Sequence, residues 1–337
     1  MSKSLKALAS VLTASALLSA LAVTPAAARE ISARDQVKAM TRGINVLGYD
    51  PIWKDPAKAR FQMRHFKVIK DGGFDAVRLN LHAFSHMDAD NRIDPAWLAT
   101  LDQVVKAALD QKLTVILDEH NFGDCGNDPA TCKPKLVAFW KQVGERYKDA
   151  PDGVVFELLN EPNKGLTDEL WNSWIAELLP VVRASNPTRN VIVGPAFWNN
   201  ISHLDQLKLP QGDRHLIATV HYYLPMEFTH QGASWNPDTP KTGVTWGTPA
   251  ERARMKADFD GVQAWAKAND RPMLLGEFGA YDKGDMASRA AYTAAAAREA
   301  EARGWAWSYW QFDSDFIAYD IKADAWVAPI HDALVPK

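Results

Sequence analysis

The stretch Val154-Val155-Phe156-Glu157-Leu158-Leu159-Asn160-Glu161-Pro162 is an apolar run that stops at a carboxylate flanked by an amide and a proline. An apolar run of this length reads as a buried strand, and its polar end reads either as ordinary strand punctuation or as delivery of one acidic side chain to a site. A second strand ending in a carboxylate separates the two readings. Such a strand exists further along, in Met273-Leu274-Leu275-Gly276-Glu277.

Between and around these two runs the chain alternates. Short apolar segments end at Leu47, Leu81, Asn121, Glu161, Ala196, Tyr223, Gly279 and Phe312, and segments of helical spacing follow them, such as Pro95 to Gln111 with Leu98, Leu101, Val104, Val105 and Ala108 on one face. Helices are also expected over 61–70, 135–148, 168–185, 250–268 and 286–303, with a less regular one over 204–209 and a terminal one over 324–334. Eight strand–helix units with nearly continuous apolar strands predict an α/β fold with a parallel sheet covered by helices. No glycine-rich phosphate turn follows the first strand, so a closed single (β/α)8 TIM barrel fits better than an open dinucleotide-binding sheet.

A barrel places its site at the C-terminal ends of its strands. The polar residues there are Asn45, Arg78, Asn80, Asp118, Glu119, His120, Asn160, Glu161, His221, Tyr223, Glu277, Trp310 and Gln311. The fifth strand offers little beyond Trp198. Glu161 and Glu277 end strands four and seven, and two carboxylates across a barrel mouth can combine proton donation with nucleophilic attack at an acetal carbon. Arg78 has a second reading, as the partner of Glu157, which shares strand parity with Glu161 and so points into the barrel.

The sequence resembles glycoside hydrolase family 5, the cellulase family. The resemblance rests on Val77-Arg78-Leu79, Leu117-Asp118-Glu119-His120-Asn121, Asn160-Glu161-Pro162, His221-Tyr222-Tyr223, Gly276-Glu277-Phe278-Gly279 and Tyr309-Trp310, in that order, and spans residues 43 to about 320. It implies a retaining barrel enzyme with Glu161 as acid/base and Glu277 as nucleophile. It also implies that Arg78, His221 and Tyr223 support Glu277, that Asn160 holds the sugar 2-OH, and that His120 and Trp310 line the same subsite. The implied partner is a polysaccharide or oligosaccharide, with β-1,4-glucan hydrolysis expected; mannan, xyloglucan, β-1,3-glucan or exo-action are the alternatives within the family. No cofactor is expected.

Thirteen tryptophans stand out in an otherwise ordinary composition. Trp53, Trp198, and Trp235 and Trp246 in the long 224–249 connection are candidates for outer sugar subsites, with packing onto the barrel as the alternative. A metal-dependent hydrolase would need a fuller ligand set than His82 and His86, whose four-residue spacing lacks the glutamate of a zinc helix, so no metal is expected. A non-catalytic binding barrel would have no need of both carboxylates.

Residues 1–28 read as a secretory signal: Lys3 and Lys6, an apolar stretch from Ala7 to Val23, then Ala26-Ala27-Ala28 before Arg29. Removal of two lysines and no acids takes the formal charge from −3 to −5. The remainder, 29–337, reads as one catalytic barrel, secreted or periplasmic, without a membrane anchor and monomeric. Its charge gives no nucleic-acid footprint. Cys125 and Cys132 read as a local disulfide in an exported chain, with two free thiols as the alternative.

Overall fold

The computed structural model describes residues 30–239 and 241–336; the segment read as an export signal lies outside them. Eight parallel strands close into a barrel in sequence order. They are β1 (Arg42–Val46), β2 (Ala76–Leu81), β3 (Thr114–Glu119), β4 (Val154–Glu157), β5 (Val191–Val193), β6 (Leu216–Tyr222), β7 (Met273–Phe278) and β8 (Ala306–Tyr309). Among the described residues, no helix is long and apolar enough to cross a membrane.

Helices cover the barrel where the sequence supplies caps. Asp94 caps Pro95–Asp110, Thr167 caps Asp168–Ser185, Asp285 caps Met286–Ala302, and Thr248 with Glu251 forms a reciprocal capping box at Pro249–Ala268. In each case a side-chain oxygen takes one of the free N–H groups that begin a helix, and proline at the first position has no N–H to lose.

Several boundaries differ from the sequence expectation. The third helix begins at Pro129, not near Lys135, because Asp128 caps it by accepting from Thr131 N. The fourth and fifth strands end at Glu157 and Val193, earlier than the apolar runs suggest. The fifth unit has only a short 3-10 turn, Ile201–Gln206, where a helix over 204–209 was expected. At the C-terminus, Ala325–Trp326 pairs with Tyr319–Asp320, and the last helix starts at Ala328.

Strand alternation divides the barrel interior into layers. The lowest layer is apolar, built from Ala76, Ile116, Val155, Ile192, Ile217, Leu274 and Ala306. A helix absent from the sequence reading, Ala33–Ala39, packs Ala33, Val37 and, just beyond it, Met40 against this layer and closes the bottom of the barrel. Two residues further along the strands stand Arg78, Asp118, Glu157, Thr219 and Ser308, all fully buried. The outward-facing residues form a separate cluster with the helices, including Val77, Leu79, Val115, Leu117, Phe156 and Leu275.

Candidate active site

Arg78 organises the polar layer. Its guanidinium holds Glu157 through two bonds (Nε to Oε2 2.7 Å, Nη2 to Oε1 3.0 Å) and donates to Asn45 Oδ1 (2.8 Å), Asn160 Oδ1 (2.8 Å) and Glu277 Oε1 (2.7 Å). Asp118 Oδ2 lies 3.1 Å from Nη2. Burial lowers the Arg78 pKa, but Asp118, Glu157 and Glu277 more than offset it, and the net shift is upward. Both readings of Arg78 hold together: it pairs with Glu157 and also reaches the site.

This one cation orients its neighbours. Because Asn160 Oδ1 accepts from Arg78, its NH2 faces the other way, 3.4 Å from His120 Nε2. His120 Nδ1 lies 2.5 Å from Asp118 Oδ2, and its ring stacks on Trp310 with centroids 5.7 Å apart and planes 6° from parallel. Burial, Arg78 and His221 lower the His120 pKa, so the ring is neutral, with its proton on Nδ1 toward Asp118.

The two strand-end glutamates arrive by different backbone devices. Leu275 and Phe278 both face outward, so alternation slips once between them, and the pairing with β6 shifts register between Val220 and His221. This bulge turns Glu277 inward. Gly276 permits it: a Cβ there would stand 2.7 Å from Thr219 Oγ1 and 2.9 Å from His221 Nε2. Glu161 follows the end of β4 with φ +42°, a left-handed conformation that costs a non-glycine residue energy and is commonest at functional sites.

Glu277 accepts from Arg78 on Oε1 and from the Tyr223 hydroxyl on Oε2 (3.0 Å). Glu161 Oε1 lies 2.8 Å from His221 Nδ1, which is 3.6 Å from Glu277 Oε2. Burial pushes Glu161 up to about 8 against the pull of Arg78, with Asp118 and Glu157 adding to the rise. Burial also raises Glu277, to about 7, where His221 and Arg78 hold it back. Standing this close, the two titrate as a coupled pair, losing their protons in two steps that belong to the pair.

One carboxylate oxygen of each glutamate and one His221 nitrogen lie within 4.8 Å of one another. Such spacing also suits a cation. A guanidinium 2.7 Å from Glu277 opposes a second positive charge there. His82 and His86 do not converge: the former packs edge-on to His120, the latter stacks on Trp97.

Two of the outer candidates are corrected. Trp53 is buried, donating to Leu47 O (3.0 Å) and packing on Trp97, and Trp246 is buried between Tyr292 and the guanidinium of Arg252. Tertiary neighbours claimed both indoles, which a sequence cannot foresee for a loop tryptophan. Trp198 and Trp235 are exposed, 38% and 51%, the latter edge-on to Tyr281. The sequence reading missed Tyr49, exposed beside Trp310 with ring centroids 6.3 Å apart, and Asn199, buried against His221. Cys125 and Cys132 form a disulfide linking the Phe122–Asn127 turn to the helix after β3.

Fold and mouth together define a class, the (β/α)8 barrels that carry paired carboxylates after strands four and seven. Within it the chain belongs to the cellulase family, glycosyl hydrolase family 5, whose profile matches residues 36–315. Endoglucanase H of Acetivibrio thermocellus is 29% identical over 313 residues, which cover 89% of this chain and 33% of that protein. The chain thus spans about a third of the length of that relative. The crystal structure of endoglucanase Cel5A from Thermotoga maritima is 36% identical, covers 90% of this chain and 100% of its own, and superposes with a TM-score of 0.86. Structures of that protein are described in complex with cellobiose and with mannotriose. The cellulose synthase subunit Z of Clostridioides difficile is likewise 36% identical, covering 88% of this chain and 99% of its own, with a TM-score of 0.83.

Proposed function

We propose that the protein is a retaining, endo-acting glycoside hydrolase that cleaves internal β-1,4-glucosidic bonds of cellulose-type or mixed-linkage glucans. The observation that carries the reading is the Glu161–Glu277 pair, with oxygens within 4.8 Å of each other, because retaining enzymes space their carboxyls at about 5–5.5 Å and inverting enzymes leave a wider gap for water.

In the first step a Glu277 oxygen attacks the anomeric carbon while Glu161 gives its proton to the departing glycosidic oxygen, leaving a glycosyl ester on Glu277. In the second, the Glu161 carboxylate takes a proton from water, the water oxygen attacks the anomeric carbon, and the ester bond breaks back to free Glu277. The higher pKa of Glu161 suits the donor, and the Arg78 and Tyr223 bonds suit an ionised nucleophile. One N–H of Asn160 faces His120 Nε2 and leaves the second for the sugar 2-OH, and the stacked His120 and Trp310 offer a flat wall to the same ring.

A panel of carboxymethylcellulose, barley β-glucan, glucomannan, xyloglucan and laminarin tests the substrate, and a viscosity drop that outruns reducing-end release marks endo-cleavage. Activity on laminarin alone would overturn the β-1,4-glucan reading, and an inverted first-formed anomer by NMR would overturn the nucleophile. The mannotriose complex of the Thermotoga maritima relative favours a second reading in which β-1,4-mannans are also cut, which the glucomannan arm reads directly. The protein works outside the cytoplasm as a monomer. N-terminal sequencing of exported material, with cleavage expected near Ala28, and sedimentation of the product check both points.

A further inference from the structure

His221 touches both glutamates through one nitrogen, Nδ1, at 2.8 Å from Glu161 Oε1 and 3.6 Å from Glu277 Oε2. The ring is neutral: burial lowers its pKa to about 4 despite Glu277, and Arg78 adds to the lowering. A neutral imidazole carries one proton, and which nitrogen holds it decides what Glu161 meets. With the proton on Nδ1, the ring donates to Glu161 Oε1 and leaves the acid's own proton on Oε2. With the proton on Nε2, the bare Nδ1 competes for that acidic proton.

Something must choose, and the choice comes from the turn after β5. Phe197, Trp198 and Asn199 take left-handed conformations in succession (φ 58°, 62° and 52°). The turn exposes Phe197 and Trp198 and sends Asn199 inward, where it is fully buried with its NH2 3.2 Å from His221 Nε2. Gly194 makes room, since a Cβ there would stand 2.3 Å from Asn199 Oδ1. Trp198 N bonds Pro162 O (3.0 Å), and Asn200 bridges to His221, which ties the turn to both strands of the site. A nitrogen set between two carboxylates is the one that keeps a proton, so Nε2 presents a lone pair and needs a donor. The Asn199 amide is that donor.

We infer that Asn199 is a positioning residue that selects the His221 tautomer with its proton on Nδ1, and thereby leaves the proton of Glu161 free for the leaving group. This rests on the reading of Glu161 as acid/base. The titratable and charged groups around His221 are Arg78 from β2, His120 beyond β3, Glu157 and Glu161 on and after β4, and Glu277 from β7, whose Oε2 also accepts from the Tyr223 hydroxyl.

The test begins on the unaltered protein: 15N NMR of the His221 ring should show Nδ1 protonated and Nε2 bare. Asn199→Asp keeps the size and tolerates the left-handed backbone, but its carboxylate accepts from Nε2–H. It should lower kcat at least about tenfold, less than the roughly 10⁴-fold that a wrong tautomer costs an imidazole acting as the general base itself. KM should stay unchanged, since Asn199 is fully buried beneath the mouth. The added negative charge should move the pH profile of kcat/KM upward by about one unit. A proton on Nε2 in the unaltered protein, or an Asn199→Asp profile that stays in place, overturns the inference. A protein that hydrolyses no β-glycan overturns the functional reading instead and leaves the ring spectrum to stand by itself.

Discussion

The two ends of the barrel interior use the same strands and the same alternation for opposite purposes. At the bottom, Ile116, Val155, Ile192, Ile217 and Leu274 meet the Ala33–Ala39 helix in a dry layer of aliphatic side chains. Four residues along the strands from Ile116 and Ile217 stand His120 and His221, and the same line of sight now holds a guanidinium, two imidazoles and four carboxylates. The bottom is stabilised by burial, each large aliphatic side chain contributing roughly 1.5–3 kcal/mol. The mouth depends on keeping Asp118, Glu157 and Glu277 paired around Arg78, since breaking a buried ion pair leaves a charge uncompensated and costs about 3–5 kcal/mol. One end is stable because it is apolar, and the other is functional because it is not.

That contrast can be broken from either side. The largest effect is expected for Glu277→Gln, which removes the proposed nucleophile while keeping shape: we predict at least about a 10³-fold loss of kcat with substrate binding retained. Titration calorimetry with a cello-oligosaccharide checks the second half, and hydrolysis at the original rate would remove Glu277 from its role. At the bottom, Ile217→Ala should do the reverse, lowering stability by about 2–5 kcal/mol in denaturant unfolding while the folded fraction keeps its kcat. A large fall in kcat there would show that the two ends are not separable.

Gly276→Ala probes the border between them. Its Cβ would press on Thr219 and His221, so we predict about 1–3 kcal/mol of overpacking together with a kcat loss larger than any change in KM. Stability and kcat both unchanged would mean that the bulge relaxes freely. The smallest perturbation is pH alone. Glu277 must be ionised and Glu161 protonated, and raised pKa values push both limbs upward, so kcat/KM should rise as pH approaches about 7 and fall beyond about 8. A profile with its maximum near pH 4 would contradict the burial of the pair.

Much of this was legible beforehand because period-two alternation and strand-end chemistry are local. Arg78, His120, Asn160, Glu161, His221, Tyr223, Glu277 and Trp310 all come to the mouth once the alternation is closed into a barrel. Trp53 and Trp246 took the packing alternative and not the subsite one, and nothing local says which loop tryptophans are buried. Asn199 was invisible because its importance comes from a backbone conformation, three left-handed residues in a row, that no residue type announces. The Ala33–Ala39 plug escaped notice because its packing partners lie on seven strands spread along the chain from Ala76 to Ala306.

The order of strands and helices, the apolar parity of each strand and the presence of two strand-end carboxylates follow from the sequence by itself, since each depends on residues near one another in the chain. Tertiary structure decided how close those carboxylates stand, which of them holds its proton longer, and how one arginine serves Glu157, Asn160 and Glu277 at once. Distance and desolvation act between groups that only the closed barrel brings together, so no local pattern encodes them.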